Sequence, residues 1–93
     1  MVVQHKEIDN KGIFFITVEG EVAAELVYGK PNHNQMIIEH TEVSEALEGK
    51  GAGKELVYSA VNYARLNNIK VIPLCPFAKA LFDRKAELRD VLL

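Results

Sequence analysis

The spacing of apolar residues along the chain changes within residues 48–54, and this change determines which secondary structure forms on each side of the segment. Before it, apolar and polar residues alternate in runs rich in valine, isoleucine and phenylalanine, which is typical of β-strands. After it, apolar residues recur at spacings of one, three and four, which indicates an amphipathic helix. The three glycines at 49, 51 and 53 therefore lie where a strand turns into a helix.

The patterns and turn signals predict the order β-β-β-β-α-β-α in one mixed α/β sheet. Strands are expected over 2–8, 13–18, 21–28, 35–43 and 69–74, with a loop over 29–34, a helix from 51 to about 66, a second helix from Pro76 and a short turn or helix over 87–92. Alternation along the fourth strand puts Met36, Ile38 and His40 on one face. The helix between the last two strands predicts a right-handed parallel crossover.

Length and charge exclude several classes of protein. With 93 residues the chain is expected to form a single domain over 1–93. Lysine and arginine number 11 against 13 acidic residues, so no basic excess points to nucleic acid. No apolar run is long enough to span a bilayer, and the N-terminus lacks a signal-peptide pattern. The single cysteine, Cys75, precludes an internal disulfide, which favours the cytoplasm. These features do not predict an oligomeric state.

The glycine-rich turn predicts an anion site, because free N–H groups at a helix start attract a phosphate or diphosphate. A Walker phosphate loop needs serine or threonine after its lysine, whereas Glu55 follows Lys54. A dinucleotide fingerprint needs a third glycine where Leu56 stands. Both nucleotide interpretations are weakened, and a flexible turn that binds nothing stays open.

The segment 48–53 resembles the pyrophosphate loop of the GNAT acetyltransferase superfamily, whose pattern is Arg/Gln-x-x-Gly-x-Gly/Ala. Gly51 and Gly53 match this pattern. Glu48 stands where arginine or glutamine is usual, which removes a favourable neighbour for a diphosphate. Lys50 and Lys54 can offset that carboxylate.

A second motif extends the resemblance over 35–85. After the next strand the superfamily carries Asn-x-x-Ala and, four residues later, usually tyrosine. Here Cys75, Ala78 and Phe82 occupy those three positions. The stretches 40–43 and 75–77 look like those of a small stand-alone subfamily with a histidine and a cysteine in these places.

The resemblance implies a minimal GNAT-like fold and an N-acetyltransferase that uses acetyl-CoA as co-substrate and an unidentified amine as acceptor. The implied cofactor contacts are Glu42, Val43, Gly49, Lys50, Gly51, Ala52, Gly53, Lys54, Lys79 and Phe82. One or two cations among Lys79, Arg84 and Lys85 could meet the 3′-phosphate of coenzyme A. Because Phe82 has no hydroxyl to protonate a thiolate, an acyl-CoA sensor or carrier is the alternative. An interaction domain without a ligand is a third possibility.

Cys75 and His40 are the predicted catalytic residues. Cys75 follows a parallel strand and opens a helix, where it could accept the acetyl group or protonate the departing thiolate. The resemblance brings His40 near it, as a base for the thiol or for the amine. A buried apolar cysteine and a core histidine are the structural alternatives. The histidines and the cysteine lack metal-ligand spacing, so no metal is predicted.

Overall fold

Five strands form one sheet in chain order in the computed structural model, which describes residues 1–93. The elements are β1 (Gln4–Ile8), β2 (Lys11–Val18), β3 (Glu21–Asn32), β4 (Gln35–Val43), α1 (Ala52–Leu66), β5 (Lys70–Pro73) and α2 (Pro76–Arg84), with 3₁₀ turns at Glu45–Leu47 and Ala86–Val91. The first four strands are antiparallel, and β5 runs parallel to β4 after the α1 crossover. The predicted mixed α/β fold and element order are confirmed.

The helices and the C-terminal 3₁₀ turn bury one face of the sheet in a single apolar cluster. Leu26, Ile38 and Val71 contribute to it from the strands, and Leu56 and Phe82 from the helices. Burying such side chains contributes about 1.5–3 kcal/mol each, so this cluster is the main source of stability. The opposite face, here called the open face, carries no helix. Neither helix has the length and apolar character needed to cross a membrane.

The loop predicted over 29–34 is wrong, because β3 continues to Asn32 and only the next two residues turn. The Lys30 N–H donates to Asn10 O at 2.8 Å, which extends the strand. The Asn34 N–H donates to Asn32 Oδ1 at 2.9 Å, which closes a tight turn.

A second difference lies at the start of β3. Thr17 pairs with Val22 and Ile16 with Ala24, so Ala23 is an extra residue in a β-bulge. Simple alternation would put Val22 on the same face as the buried Ala24, but the bulge interrupts the alternation and Val22 is 52% exposed.

A β-bulge in β4 overturns the predicted face of His40. Val27 pairs with His40 and Tyr28 with Ile38, which leaves Glu39 without a partner. One extra residue reverses the alternation beyond it. His40 therefore lies on the open face, opposite the core side of Ile38, and Thr41, paired with the buried Leu26, faces the helices.

Candidate functional site

A gap opens between β4 and β5 because their pairing stops early. The strands pair only from Gln35–Lys70 to Ile38–Pro73. Pro73 has no N–H, and the N–H groups of Leu74 and Cys75 both donate to Ile38 O, at 3.1 and 3.0 Å. The chain then turns into α2, so residues 39–43 of β4 have no strand beside them on this side.

The main chain of β4 offers hydrogen-bonding groups to this gap. Ser44 N–H donates to Ala23 O at 2.8 Å, so the main-chain N–H and C=O groups of Ser44 point toward β3. Strand alternation then directs the N–H and C=O groups of Thr41 and Val43 toward the gap and those of Glu42 toward β3. The main-chain groups of Val43 and Thr41 thus face the gap, whereas those of Glu42, a predicted cofactor contact, are turned toward β3.

The segment 48–54, here called the glycine turn, leads from β4 to the start of α1. Two of its glycines have a left-handed backbone conformation. Gly49 has φ 75° and Gly51 has φ 79°, values that favour glycine. Ala52, Gly53 and Lys54 form the first turn of α1, whose N–H groups have no acceptor within the helix. No side chain caps the N-terminus of this helix, so the positive end of the helix dipole is not offset by a capping group.

Five N–H groups of the turn are free for an anion. They belong to Gly49, Gly51, Ala52, Gly53 and Lys54, none of which donates to another backbone group. The N–H of Lys50, by contrast, donates to Leu47 O at 3.2 Å. This N–H is used within the turn, so only the side chain of Lys50 is left for the cofactor contact predicted for this residue.

A cleft of about 480 Å³ joins the turn to the gap. One wall consists of Val43, Leu47, Glu48 and the glycine turn, and the other of Phe77, Leu81, Arg84 and Lys85. The Phe77 ring lies directly over Gly53, where a Cβ would be 2.7 Å from a ring carbon. Glycine at this position therefore lets the ring approach the start of α1.

Four predicted cofactor contacts lie outside the cleft lining: Glu42, Lys50, Lys79 and Phe82. Phe82 is only 1% exposed and packs in the core, so its ring does not line the cleft. Lys79 forms an ion pair with Asp83, one helical turn later, at 4.0 Å. The periodicity of α2 instead gives the cleft Phe77, Leu81 and Arg84, a set that only the helix orientation identifies.

The Cys75 thiol lies at the N-terminus of α2 and borders the gap. It is 4% exposed, and its Sγ donates to Thr41 Oγ1 at 3.4 Å. Burial acts to raise the pKa of this thiol. In the thiolate form the Thr41 hydroxyl becomes the donor, and its hydrogen bond and those from the N–H groups of Ala78, Phe77 and Thr41 outweigh burial and lower the pKa. These donors stabilise a thiolate without help from an imidazole.

We expect the stabilising effect of Cys75 to increase with pH. Because its pKa is lower in the folded chain, the folded state binds fewer protons than the unfolded state just below the ordinary value of 9.0. This contribution is complete above that value and is lost as the pH falls through the folded pKa. Denaturant unfolding of the wild type and Cys75→Ala should give a difference in unfolding free energy that grows from neutral to alkaline pH. A constant difference would contradict the altered pKa.

His40 lies beside two carboxylates on the open face. Its Nε2 is 3.2 Å from Glu25 Oε2 and 3.4 Å from Glu42 Oε1. A carboxylate only accepts, so Nε2 carries the proton and Nδ1 of the neutral ring is an acceptor. The predicted pairing of His40 with Cys75 is not formed, because successive residues of β4 point to opposite faces and Thr41 meets the thiol.

The Glu25–His40–Glu42 cluster also has the composition of a cation site. Potential ligand atoms of the three side chains all lie within 4.8 Å of one another. Their spacing along the sequence did not indicate this, since Glu25 comes from β3 and only strand pairing brings it to β4. All three side chains are at least 30% exposed, so water competes for any ion there.

The comparisons with known proteins agree with this geometry. The sequence model of the GCN5-related N-acetyl-transferase family matches residues 13–91. No curated protein matches the chain in sequence. The solution structure of a GCN5-like candidate N-acetyltransferase from Staphylococcus aureus is 38% identical, with a TM-score of 0.74, covering 97% of this chain and 87% of that one.

Larger acetyltransferases share the fold at low identity. The ribosomal-protein-S18-alanine N-acetyltransferase of Escherichia coli is 14% identical with a TM-score of 0.68, over 84% of this chain and 53% of that one. A GNAT family acetyltransferase from Elizabethkingia anophelis, solved with acetyl-CoA bound, is 14% identical with a TM-score of 0.63, over 83% and 53%. The chain spans about half the length of these two enzymes. By its family match and its Staphylococcus relative, the chain belongs to the GCN5-related N-acetyltransferase family.

Proposed function

We propose that residues 1–93 act as one domain that transfers an acetyl group from acetyl-CoA to a cationic amine. One observation carries this proposal: the unpaired stretch of β4 opens into a cleft that ends at five free N–H groups. An elongated ligand with an amide-containing arm and a diphosphate matches those groups in that order.

Acetyl-CoA has these parts. Its pantetheine arm would hydrogen-bond to the main chain of Thr41 and Val43 like an added strand. Its diphosphate would accept from the N–H groups around Gly51 and Gly53, and its thioester would lie near Cys75. The acetyl-CoA bound to the Elizabethkingia enzyme supports this choice of ligand within the same fold.

The acceptor would approach from the open face, where His40 stands between two carboxylates. Glu25 and Glu42 attract an ammonium group, and His40 Nδ1 takes a proton from the amine. The amine nitrogen then attacks the carbonyl carbon to give a tetrahedral intermediate, its second proton passes to solvent, and the C–S bond breaks as the carbonyl re-forms. The thiol of Cys75 protonates the departing thiolate and recovers its proton from solvent.

His40 and Cys75 thus have separate roles in this proposal, whereas the sequence predicted that the imidazole would lie near the thiol and act as its base. His40 serves the amine on one face, and Cys75 serves the leaving group at the gap. Because the pKa of the Cys75 thiol is lowered, proton transfer from this thiol to the departing thiolate is favourable. In the alternative route Cys75 attacks the thioester itself, and an acetyl adduct in the intact mass spectrum under single turnover would identify it.

Amide chemical shifts during an acetyl-CoA titration test the binding part of the proposal. We expect the largest changes at residues 49 and 51–54, with smaller ones at 41 and 43. A thiol-release assay with a panel of amines tests transfer. Binding without release for every amine would favour the acyl-CoA sensor, an alternative consistent with the hydroxyl-free Phe82 in the core. Unchanged amides at saturation would contradict both functions.

A further inference from the structure

An apolar patch lies on the open face, directly beside the cluster that contains His40. Val27 is the partner of His40 in the β3–β4 pairing, and Ile13 is the partner of Val27 on β2. Phe15 is the β2 partner of Glu25 in the same way. Because paired residues of neighbouring strands share a face, Ile13, Phe15 and Val27 extend from the cluster toward the edge strand β1, and they are here called the apolar patch.

The patch offers apolar surface that is only partly shielded from water. Ile13 and Val27 are half-buried, although no helix covers this face. Phe15 is 8% exposed, and Lys6 Nζ is 5.9 Å from the centre of its ring, so the lysine side chain lies over that ring. A ligand that covered Ile13 and Val27 would remove their remaining surface from water, which favours binding.

Charged side chains bound the patch on two sides and keep it small. Lys6 is the partner of Ile13 on the β1 side. Lys11 and Glu39 form an ion pair at 2.8 Å, and a Cβ at Gly29 would be 2.7 Å from Glu39 Oε2, so this carboxylate lies over Gly29. Three apolar side chains offer far less than the roughly 1,000 Å² of a stable protein interface, so the patch suits a small molecule.

The charge changes sign across the patch. On its β4 side, Glu25 and Glu42 place carboxylate oxygens 3.2 and 3.4 Å from His40 Nε2. On its β1 side, Lys6 forms no ion pair and lies three strand spacings, about 14 Å, from β4. An ammonium group therefore fits at the β4 end, and a second ammonium group at the far end of a ligand would meet the positive charge of Lys6.

We propose that the acceptor is a small primary amine with one ammonium group and an apolar chain, which the apolar patch selects over short amines and over diamines. This inference rests on the proposed function, since His40 takes its proton from the same amine. The ammonium group lies between Glu25 and Glu42, and the chain runs from β4 across β3 and β2. The contact with the chain gives affinity, and Lys6 acts against a second cation.

Thiol-release kinetics with linear amines test this selection. Propylamine and hexylamine have nearly the same basicity, so a difference between them reports on the length of the chain. We expect kcat/KM to increase about twofold for each methylene, or roughly tenfold from propylamine to hexylamine, because full burial is worth about fourfold and the patch is open on one side. Hexamethylenediamine, which has the same chain and a second ammonium group, should react about tenfold more slowly than hexylamine.

Three variants assign the selection to residues. Ile13→Thr combined with Val27→Thr keeps both side chains β-branched but adds hydroxyl groups, so the tenfold preference for hexylamine over propylamine should decrease to less than threefold. Lys6→Gln should increase the rate with hexamethylenediamine and leave the rate with hexylamine unchanged. Ile72→Thr is the matched control for the double variant, because Ile72 is a half-buried residue of the open face on β5, two strands from the patch, and should keep the preference.

A binding measurement complements the kinetics. Titration with hexylamine should change the amide chemical shifts of residues 13 and 27, and propylamine at the same concentration should change them less. Equal kcat/KM for propylamine and hexylamine would overturn the selection and leave the acetyl-CoA proposal intact. Absence of transfer to every amine would overturn both. If the double variant lowers the melting temperature but keeps the preference for hexylamine, the patch is only structural and the inference fails.

Discussion

Gly12→Ala should lower the free energy of unfolding by about 3 kcal/mol, because it forces a methyl group into a filled core. A Cβ at this position would lie 2.1 Å from Tyr28 Cζ. Tyr28 has no exposed surface and its hydroxyl bonds His5 Nε2 at 2.6 Å, so the ring has little freedom to move. Thermal unfolding should show a decrease in melting temperature of about 15 °C for a domain of this size.

Two further variants test the steric explanation, since Gly12 itself has no positive φ. Gly20 has φ 83° and a Cβ added there would meet no atom within 4 Å, so Gly20→Ala tests the backbone effect alone and should cost about 1 kcal/mol. In a Tyr28→Leu background, most of the cost of Gly12→Ala should disappear, because the opposing ring is absent. An undiminished cost in that background would rule out the clash with Tyr28.

His40→Gln should reduce the rate of acetyl transfer by roughly 10²–10⁴-fold, the usual contribution of a general base. Glutamine can keep a hydrogen bond to Glu25 but cannot take a proton from the amine. Acetyl-CoA affinity should be unchanged, because His40 faces away from the cleft side of β4. Thiol-release kinetics and calorimetric titration measure the two quantities.

The pH profile distinguishes a base from a positioning residue. As the pH approaches the pKa of the amine, about 10.4 for a lysine-like acceptor, the free amine no longer needs a base and the deficit of His40→Gln should shrink. His33→Gln, in the exposed turn after β3, is the matched control and should leave the rate unchanged. A deficit that is equal at every pH would argue against proton transfer to His40.

Local sequence was sufficient for the order of elements and for the location of the glycine turn before α1. The spacing between apolar residues depends only on residues close together in the chain. Its change from alternation to helical spacing near residue 50 therefore identifies β4 and α1 without knowledge of the fold. The left-handed φ angles of Gly49 and Gly51 follow equally from the residue type. The resemblance of Gly51, Gly53 and Ala78 to the motifs of the acetyltransferase superfamily indicated the family to which the chain belongs.

Only the tertiary structure decided which side chains meet. The bulge at Glu39 arises from the pairing of β4 with β3, and one unpaired residue exchanges the faces of His40 and Thr41. Likewise, the rotation of α2 about its axis buries Phe82 and turns Arg84 toward the cleft. This rotation is set by the packing of the apolar face of the helix against the rest of the core. Pairing register and helix rotation depend on residues distant in the chain, and for that reason the sequence pattern alone assigned His40 to the wrong face.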